Sequence, residues 1–203
     1  MLDRRLLGAL KPALDAAAHR LVARGVGADA ITVTGFAIGL SGSAAIALQQ
    51  PLVGLALIGL GRLCDGLDGA VARLTRPTDR GAFLDITLDF LFYASVPLAF
   101  ALADPAANAL PAAVLLAAFI GTGSSFLAFA VLAERRGLHS SAYPNKGLYY
   151  LGGLTEGSET LICFALMALW PAQFAWWAYG FAALCALTIT TRVVVGWSLL
   201  GPR

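Results

Sequence analysis

The chain has 203 residues, of which 59% are hydrophobic and only 13% charged, with a net charge of +2. A soluble domain carries about 25% charged residues, so this composition excludes one and describes a helical protein that crosses a bilayer several times. The length suits one domain, and a net charge this small gives no reason to expect a nucleic-acid partner.

The first segment, residues 1–27, reads as an amphipathic helix at the cytoplasmic membrane surface. Leu6, Leu10, Leu14, Ala17 and Leu21 recur at helical spacing, with Arg4, Arg5, Lys11, Arg20 and Arg24 on the polar side. It can lie on anionic lipid or pack on the loops of the membrane domain, with a kink near Pro12. His19 reads as a solvated face residue. The start is charged rather than apolar, so no signal peptide is expected.

Gly25 and Gly27 end that helix, and Asp29 is placed to cap the next. Residues 28–203 then read as a six-helix transmembrane catalytic domain. The spans are expected near 30–48, 52–74, 81–103, 110–133, 146–169 and 172–200. Several of these windows run near the 20 residues, with few or no charges, needed to cross the hydrocarbon core. The fold class is therefore all-α: a six-helix membrane bundle with an amphipathic helix in front.

Loop charge tests this count. The N-terminal segment, the loops at 75–80 and 134–146 and the C-terminus hold nearly all the Lys and Arg. The turns at 49–51, 104–109 and 170–173 hold none. The alternation puts both termini in the cytoplasm. Arg62 and Arg192 are the basic residues well inside a span. Tyr143, Tyr149, Tyr150, Trp170, Trp176, Trp177 and Trp197 fit an interfacial belt. Cys64, Cys163 and Cys185 form no metal-ligating cluster and read as small buried hydrophobes.

The polar residues that stand out lie between Asp65 and Asp89. At about 100° per residue, Asp65, Asp68, Gly69, Ala72 and Arg73 share one helix face. Asp85 and Asp89 share a face of the next helix, with Gly81 one turn before them. A tight loop joins the two helices, so they are expected as antiparallel neighbours whose acidic faces meet below the cytoplasmic surface. Ionisable groups at membrane depth are costly, by at least about 2.5 kcal/mol each. Four converging carboxylates need counter-charge. Arg73 supplies one; hard divalent cations, which prefer oxygen ligands, supply the rest. Two ions would clamp a diphosphate between attacking and leaving oxygens. Gly69 and Ala72 put no bulk on the face, and a remaining carboxylate could act as general base. A buried salt-bridge network is the structural alternative, but one arginine does not balance four aspartates.

This stretch resembles the signature of the CDP-alcohol phosphotransferase family, D-x-x-D-G-x-x-A-R, a spacer, then G-x-x-x-D-x-x-x-D. Asp65, Asp68, Gly69, Ala72, Arg73, Gly81, Asp85 and Asp89 match every fixed position. The spacer, Leu74 to Arg80, is one residue shorter than the usual pattern. The resemblance implies a membrane transferase that moves a phosphatidyl or phosphoalcohol group from a CDP-linked donor to an alcohol and releases CMP. It implies Asp65, Asp68 and Asp85 as ligands of Mg²⁺ or Mn²⁺, two ions being expected. Asp89 would be the catalytic base and also touch a metal. Gly69, Ala72 and Arg73 would line the CDP site. Asp29 and Thr32 resemble a further nucleotide-binding element of the family, with Ala28 where proline is usual. Family members of this kind are usually homodimers.

A second polar cluster enters the fifth span. Glu156, Glu159 and Thr160 share a face. The glutamates could hydrogen-bond an acceptor, join the metal site, or neutralise Arg192 and Arg62. Lys146 and Arg192 could grip a phosphate on the acceptor. The expected reaction uses CDP-diacylglycerol as donor and a small or lipid alcohol as acceptor. A CDP-aminoalcohol donor with a diacylglycerol acceptor is the close alternative. A cation transporter using the acidic faces is the alternative of another class.

Overall fold

The computed structural model describes residues 2–137 and 154–201, with the backbone alone for residues 2–10. Seven α-helices follow one another: α1 (Leu2–Ala23), α2 (Ala28–Ala47), α3 (Pro51–Leu74), α4 (Asp79–Ala103), α5 (Pro105–Arg135), α6 (Gly157–Leu169) and α7 (Phe174–Leu199). A 3₁₀ turn, Pro171–Gln173, leads into α7. Among the described residues six helices thus follow the amphipathic one. Among the described residues α2, α4, α5 and the stretch Pro171–Leu199 are long and apolar enough to cross a membrane. At 24 residues α3 is long enough, but it carries Arg62, Asp65, Asp68 and Arg73. The described part of α6 is 13 residues. Lys146, His139, Tyr143, Tyr149 and Tyr150 lie outside the described residues.

Helix starts follow local chemistry. The Thr78 hydroxyl accepts from the Gly81 amide at 3.1 Å and starts α4 at Asp79, earlier than hydropathy indicates. Asp104 accepts from the Ala107 amide at 3.1 Å and is followed by Pro105, so α5 also starts early. Asp29 is not the cap of α2: that position is Gly27, and Asp29 sits in the first turn. Its carboxylate is drawn instead to Arg80 at the start of α4, at 2.6 and 2.9 Å.

The helix that positions the site is α2. Both α3 and α4 lay their backbones against α2 rather than against each other. The sequence-based picture of α3 and α4 as direct neighbours is corrected here, because glycine draws α3 onto α2 instead. A Cβ on Gly42 would lie 2.8 Å from the Gly54 carbonyl oxygen, and one on Gly61 would lie 2.9 Å from that of Gly35. Only residues without a side chain allow backbones this close. On the other side, Ser43 and Ser95 share a hydrogen bond of 2.7 Å, and Phe92 packs on Gly39. A gap is left between α3 and α4, floored by α2.

The main core lies deeper, around Phe92, Val96, Phe100, Leu115, Phe164, Met167 and Phe174. Phe100 stacks on Phe174 with ring centroids 4.7 Å apart. A smaller cluster joins α1 to the bundle through Ala18, Ile31, Ala70 and Val71, with Leu14 and Leu21 beside them. The apolar face of the second half of α1, from Leu14 to Val22, is thus packed on α2 and α3, while His19 and Arg20 face out. At the far end Arg136 donates to the carbonyls of Leu200 and Gly201 at 2.9 and 3.1 Å, tying α5 to the end of α7.

Candidate active site

The gap above α2 is a narrow, open cleft. Its walls are Thr32, Gly35 and Phe36 from α2, Gly61, Arg62 and Asp65 from α3, and Asp85, Leu88 and Asp89 from α4. The periodicity that placed the aspartates on one face of each helix therefore holds in space, although the faces meet across a cleft and not across a helix contact.

Three of the four carboxylates converge. One oxygen each from Asp65, Asp68 and Asp85 lies within 4.8 Å of the others. Asp68 is the most enclosed, at 6% exposure, and its Oδ2 is buried without a hydrogen-bond partner among the described residues. An unpartnered carboxylate oxygen is expensive to bury. The donor set is all carboxylate oxygen, the choice of a hard divalent cation. By donor chemistry and by this orphaned atom, the residues fit a divalent metal ion.

Asp89 stands outside the trio. Its Oδ1 accepts from Nη1 of Arg62 at 2.7 Å, while Nη2 of the same guanidinium donates to Oδ1 of Asp65 at 3.1 Å. Arg62 is therefore the nearest counter-charge to these two aspartates. Arg73, to which sequence reasoning gave that role, is exposed, its Nη1 lying over Gly69. Sequence reasoning found Arg62 inside a span but considered the glutamates for its partner. The available signal was its place one turn before Asp65 on the same face. It also passed over Phe92 and Tyr93, on which the guanidinium rests, with ring centroids 4.7 and 5.8 Å from Cζ.

The candidate nucleotide residues lie towards the end of the cleft where α1 crosses. Thr32 lines it, with its hydroxyl donating to the Ala28 carbonyl at 3.1 Å. Asp29 lies one turn earlier, and its Oδ1 is close enough to Gly81 that a Cβ there would sit at 3.2 Å. The shortened spacer is absorbed in the surface loop. Residues 75–78 connect α3 to α4, and Thr75 closes the end of α3 with its hydroxyl on the Val71 carbonyl at 2.9 Å. The trio of carboxylates assembles all the same.

The acceptor candidates are arranged differently. Glu156 and Glu159 form a capping box at the start of α6, with the Glu159 carboxylate accepting from the Glu156 amide at 3.2 Å. The expected continuous helix from residue 146 is replaced, over the described residues, by one that begins at Gly157. Arg192 is buried in α7, donates to the Thr122 carbonyl at 3.0 Å and lies over Phe126 at 5.6 Å.

Comparison with known proteins follows the same lines. Inner membrane protein YnjF of Escherichia coli K12 is 52% identical over 200 residues, 98% of this chain and 97% of that one. An archaetidylinositol phosphate synthase of Methanothermobacter thermautotrophicus is 49% identical over 65 residues, 32% of this chain and 33% of that one. The crystal structure of Mycobacterium tuberculosis phosphatidylinositol phosphate synthase with CDP-DAG bound matches with a TM-score of 0.70 at 21% identity, covering 91% of this chain and 93% of that one. The same enzyme in complex with manganese and citrate matches at 0.73, covering 91% and 88%. At that identity the match shows the shared fold. The CDP-alcohol phosphatidyltransferase model matches residues 26–191, and so the transporter reading gives way. With that match over most of its length and with Asp65, Asp85 and Asp89 of its signature lining one cleft, the chain belongs to the CDP-alcohol phosphatidyltransferase family: it is an integral membrane enzyme of phospholipid synthesis that transfers a substituted phosphate group.

Proposed function

We propose that the protein is a divalent-metal-dependent phosphatidyltransferase that moves the phosphatidyl group of CDP-diacylglycerol onto the hydroxyl of a polar alcohol. The observation that carries this reading is the convergence of the Asp65, Asp68 and Asp85 oxygens within 4.8 Å, beside an Asp89 held separately. Asp65, Asp68 and Asp85 would hold Mg²⁺ or Mn²⁺, and the bound ion would supply charge neutralisation for the diphosphate. A second ion, the expectation from the motif, would need Asp89 as well.

The chain's own groups do the rest. Asp89 takes the proton of the acceptor hydroxyl. The acceptor oxygen forms a bond to the β-phosphorus, the bond from that phosphorus to the CMP oxygen breaks, and the oxygen leaves with the electron pair. Arg73, over Gly69, meets the α-phosphate as a charge-assisted donor. Gly69 and Ala72 let the nucleotide lie against α3. Asp29 and Thr32 take polar groups of the cytidine. For the acceptor, the named synthases among the relatives and structural matches put a phosphorylated polyol first. The sequence offers Lys146 as a cation for its phosphate, while Arg192 donates to the Thr122 carbonyl and the Glu156 and Glu159 pair caps α6. Loop charge supports cytoplasmic termini and a site at the cytoplasmic leaflet, where a lipid donor reaches the cleft laterally and CMP leaves to water. We carry the homodimer forward on the family resemblance.

The test is turnover by purified protein with Mg²⁺ or Mn²⁺. CDP-diacylglycerol should release CMP when given inositol phosphate, glycerol 3-phosphate, serine or phosphatidylglycerol, and the lipid product names the acceptor. Turnover of a CDP-aminoalcohol with diacylglycerol, and none of CDP-diacylglycerol with any acceptor, would reverse the lipid roles. Turnover that survives EDTA would remove the metal.

A further inference from the structure

We infer that Arg80 is a positioning residue for the nucleotide: it clamps the Asp29 carboxylate at the rim of the cleft, so that one oxygen, Oδ1, is presented to a hydrogen-bond donor of the nucleoside. The inference rests on the reading above that Asp29 meets the cytidine, and extends it to a residue outside the signature. Arg80 is the last residue of the spacer, and no signature position calls for it. It stands in the first turn of α4, after the Thr78 cap and Asp79. A cation there opposes the helix dipole, so helix chemistry does not account for it. Its partner is on another helix. Nε and Nη2 both donate to Oδ2 of Asp29, at 2.9 and 2.6 Å. The pair is open to solvent, with 84% of the Arg80 side chain and 31% of the Asp29 side chain exposed. An ion pair this exposed adds little to stability. What two bonds to one oxygen do is fix the rotation of the carboxylate. They leave Oδ1 with no hydrogen bond among the described residues.

The place of Oδ1 is set by the helices around it. Asp29 is three residues before Thr32, and Gly81 is four before Asp85, so both stand one turn beyond residues that line the cleft. A Cβ on Gly81 would lie 3.2 Å from Oδ1 and 3.2 Å from the Thr78 hydroxyl. The glycine of the signature therefore leaves room for this carboxylate between α2 and α4. A carboxylate only accepts hydrogen bonds. The donors that a cytidine nucleotide offers are its ribose hydroxyls and the amine of its base. A lysine at position 80 would keep the charge without the planar fork that fixes Oδ2.

The experiment is CDP binding to the purified full-length protein with Mg²⁺, measured by equilibrium dialysis. Arg80→Ala is expected to weaken CDP binding about three- to tenfold. In an Asp29→Ala background the same substitution should change nothing further. In turnover, Arg80→Ala should raise the KM for CDP-diacylglycerol by the same factor and leave kcat alone. Unchanged CDP binding by Arg80→Ala overturns the inference. So does a loss of equal size in both backgrounds, which means that Arg80 acts on the phosphates directly. Arg80→Lys covers the case in which the alanine variant does not fold. It should bind CDP more weakly than the wild type, and wild-type affinity overturns the clamp. Dialysis of 2′-deoxy-CDP, 3′-deoxy-CDP and UDP names the donor, because the loss caused by Arg80→Ala should shrink for the nucleotide that lacks it. A loss equal for all four nucleotides overturns the inference. Absence of CDP binding by the wild type, or binding unaffected by Asp29→Ala, overturns the nucleotide reading itself and is distinct from these.

Discussion

Two regions of this molecule carry the same sequence pattern and use it differently. In α3, Asp65 and Asp68 are three residues apart in an apolar helix; in α6, Glu156 and Glu159 have the same spacing. The first pair turns towards Asp85 across a cleft and leaves an oxygen of Asp68 without a hydrogen bond. The second pair closes on backbone, with Glu159 on the Glu156 amide and Glu156 on the amide of Glu159. The cause is position along the helix. A first turn has free N–H groups that carboxylates satisfy, whereas mid-helix the backbone is already paired. Arg62 meets two carboxylates on two helices, and Arg192 donates to the Thr122 carbonyl. An acidic pair inside an apolar helix therefore marks a site when the helix backbone cannot consume it.

This contrast can be broken by substitution. The largest effect is expected at the trio. Asp68→Asn should abolish CMP release and Mn²⁺ binding together, since removing one of three ligands leaves too few for a hard cation. Next is Asp89→Asn, with kcat lowered about 10²- to 10⁴-fold, the usual worth of a general base. Binding of CDP should survive, which equilibrium dialysis against labelled nucleotide measures. Loss of nucleotide binding in this variant would move Asp89 from proton transfer to assembly of the site. Smaller again is Gly54→Ala, whose Cβ would meet the Gly42 carbonyl at 2.7 Å and Ile46 at 2.5 Å. Pushing α3 from α2 should cost about 1–3 kcal/mol of stability, read as a lower melting temperature. The smallest change is expected at the capping box. Glu156→Ala should cost about 0.5–2 kcal/mol, with turnover reduced only in proportion to folded protein. A kcat loss of the size seen at Asp89 would turn the α6 pair into part of the site and erase the distinction.

Much of this was legible in the chain itself. Hydropathy marks α2, α4, α5 and α7 because a bilayer demands long apolar helices, and no partner helix is needed to read that demand. The grouping of Asp65 with Asp68, and of Asp85 with Asp89, follows from helical period alone. The eight signature positions carry the family. Helix starts were less legible. Hydropathy cannot see the Thr78 and Asp104 caps, and Asp29 looked like a cap until Arg80 stood beside it.

Tertiary structure decided how the pieces face each other. Periodicity says which residues share a face, but not which helix lies between two faces; here Gly35, Gly42, Gly54 and Gly61 draw α3 onto α2 and open the cleft. Periodicity also cannot choose a counter-ion. Arg62 and Arg73 are both near the aspartates in sequence, yet Arg62 reaches Asp89 on another helix while Arg73 lies exposed over Gly69. Sequence by itself determined the helices and the chemistry they carry, because both depend on neighbours within a few turns. Which carboxylates converge, and which one pairs with an arginine instead, depends on groups from separate helices meeting within a few ångströms, and only the packed bundle brings them there.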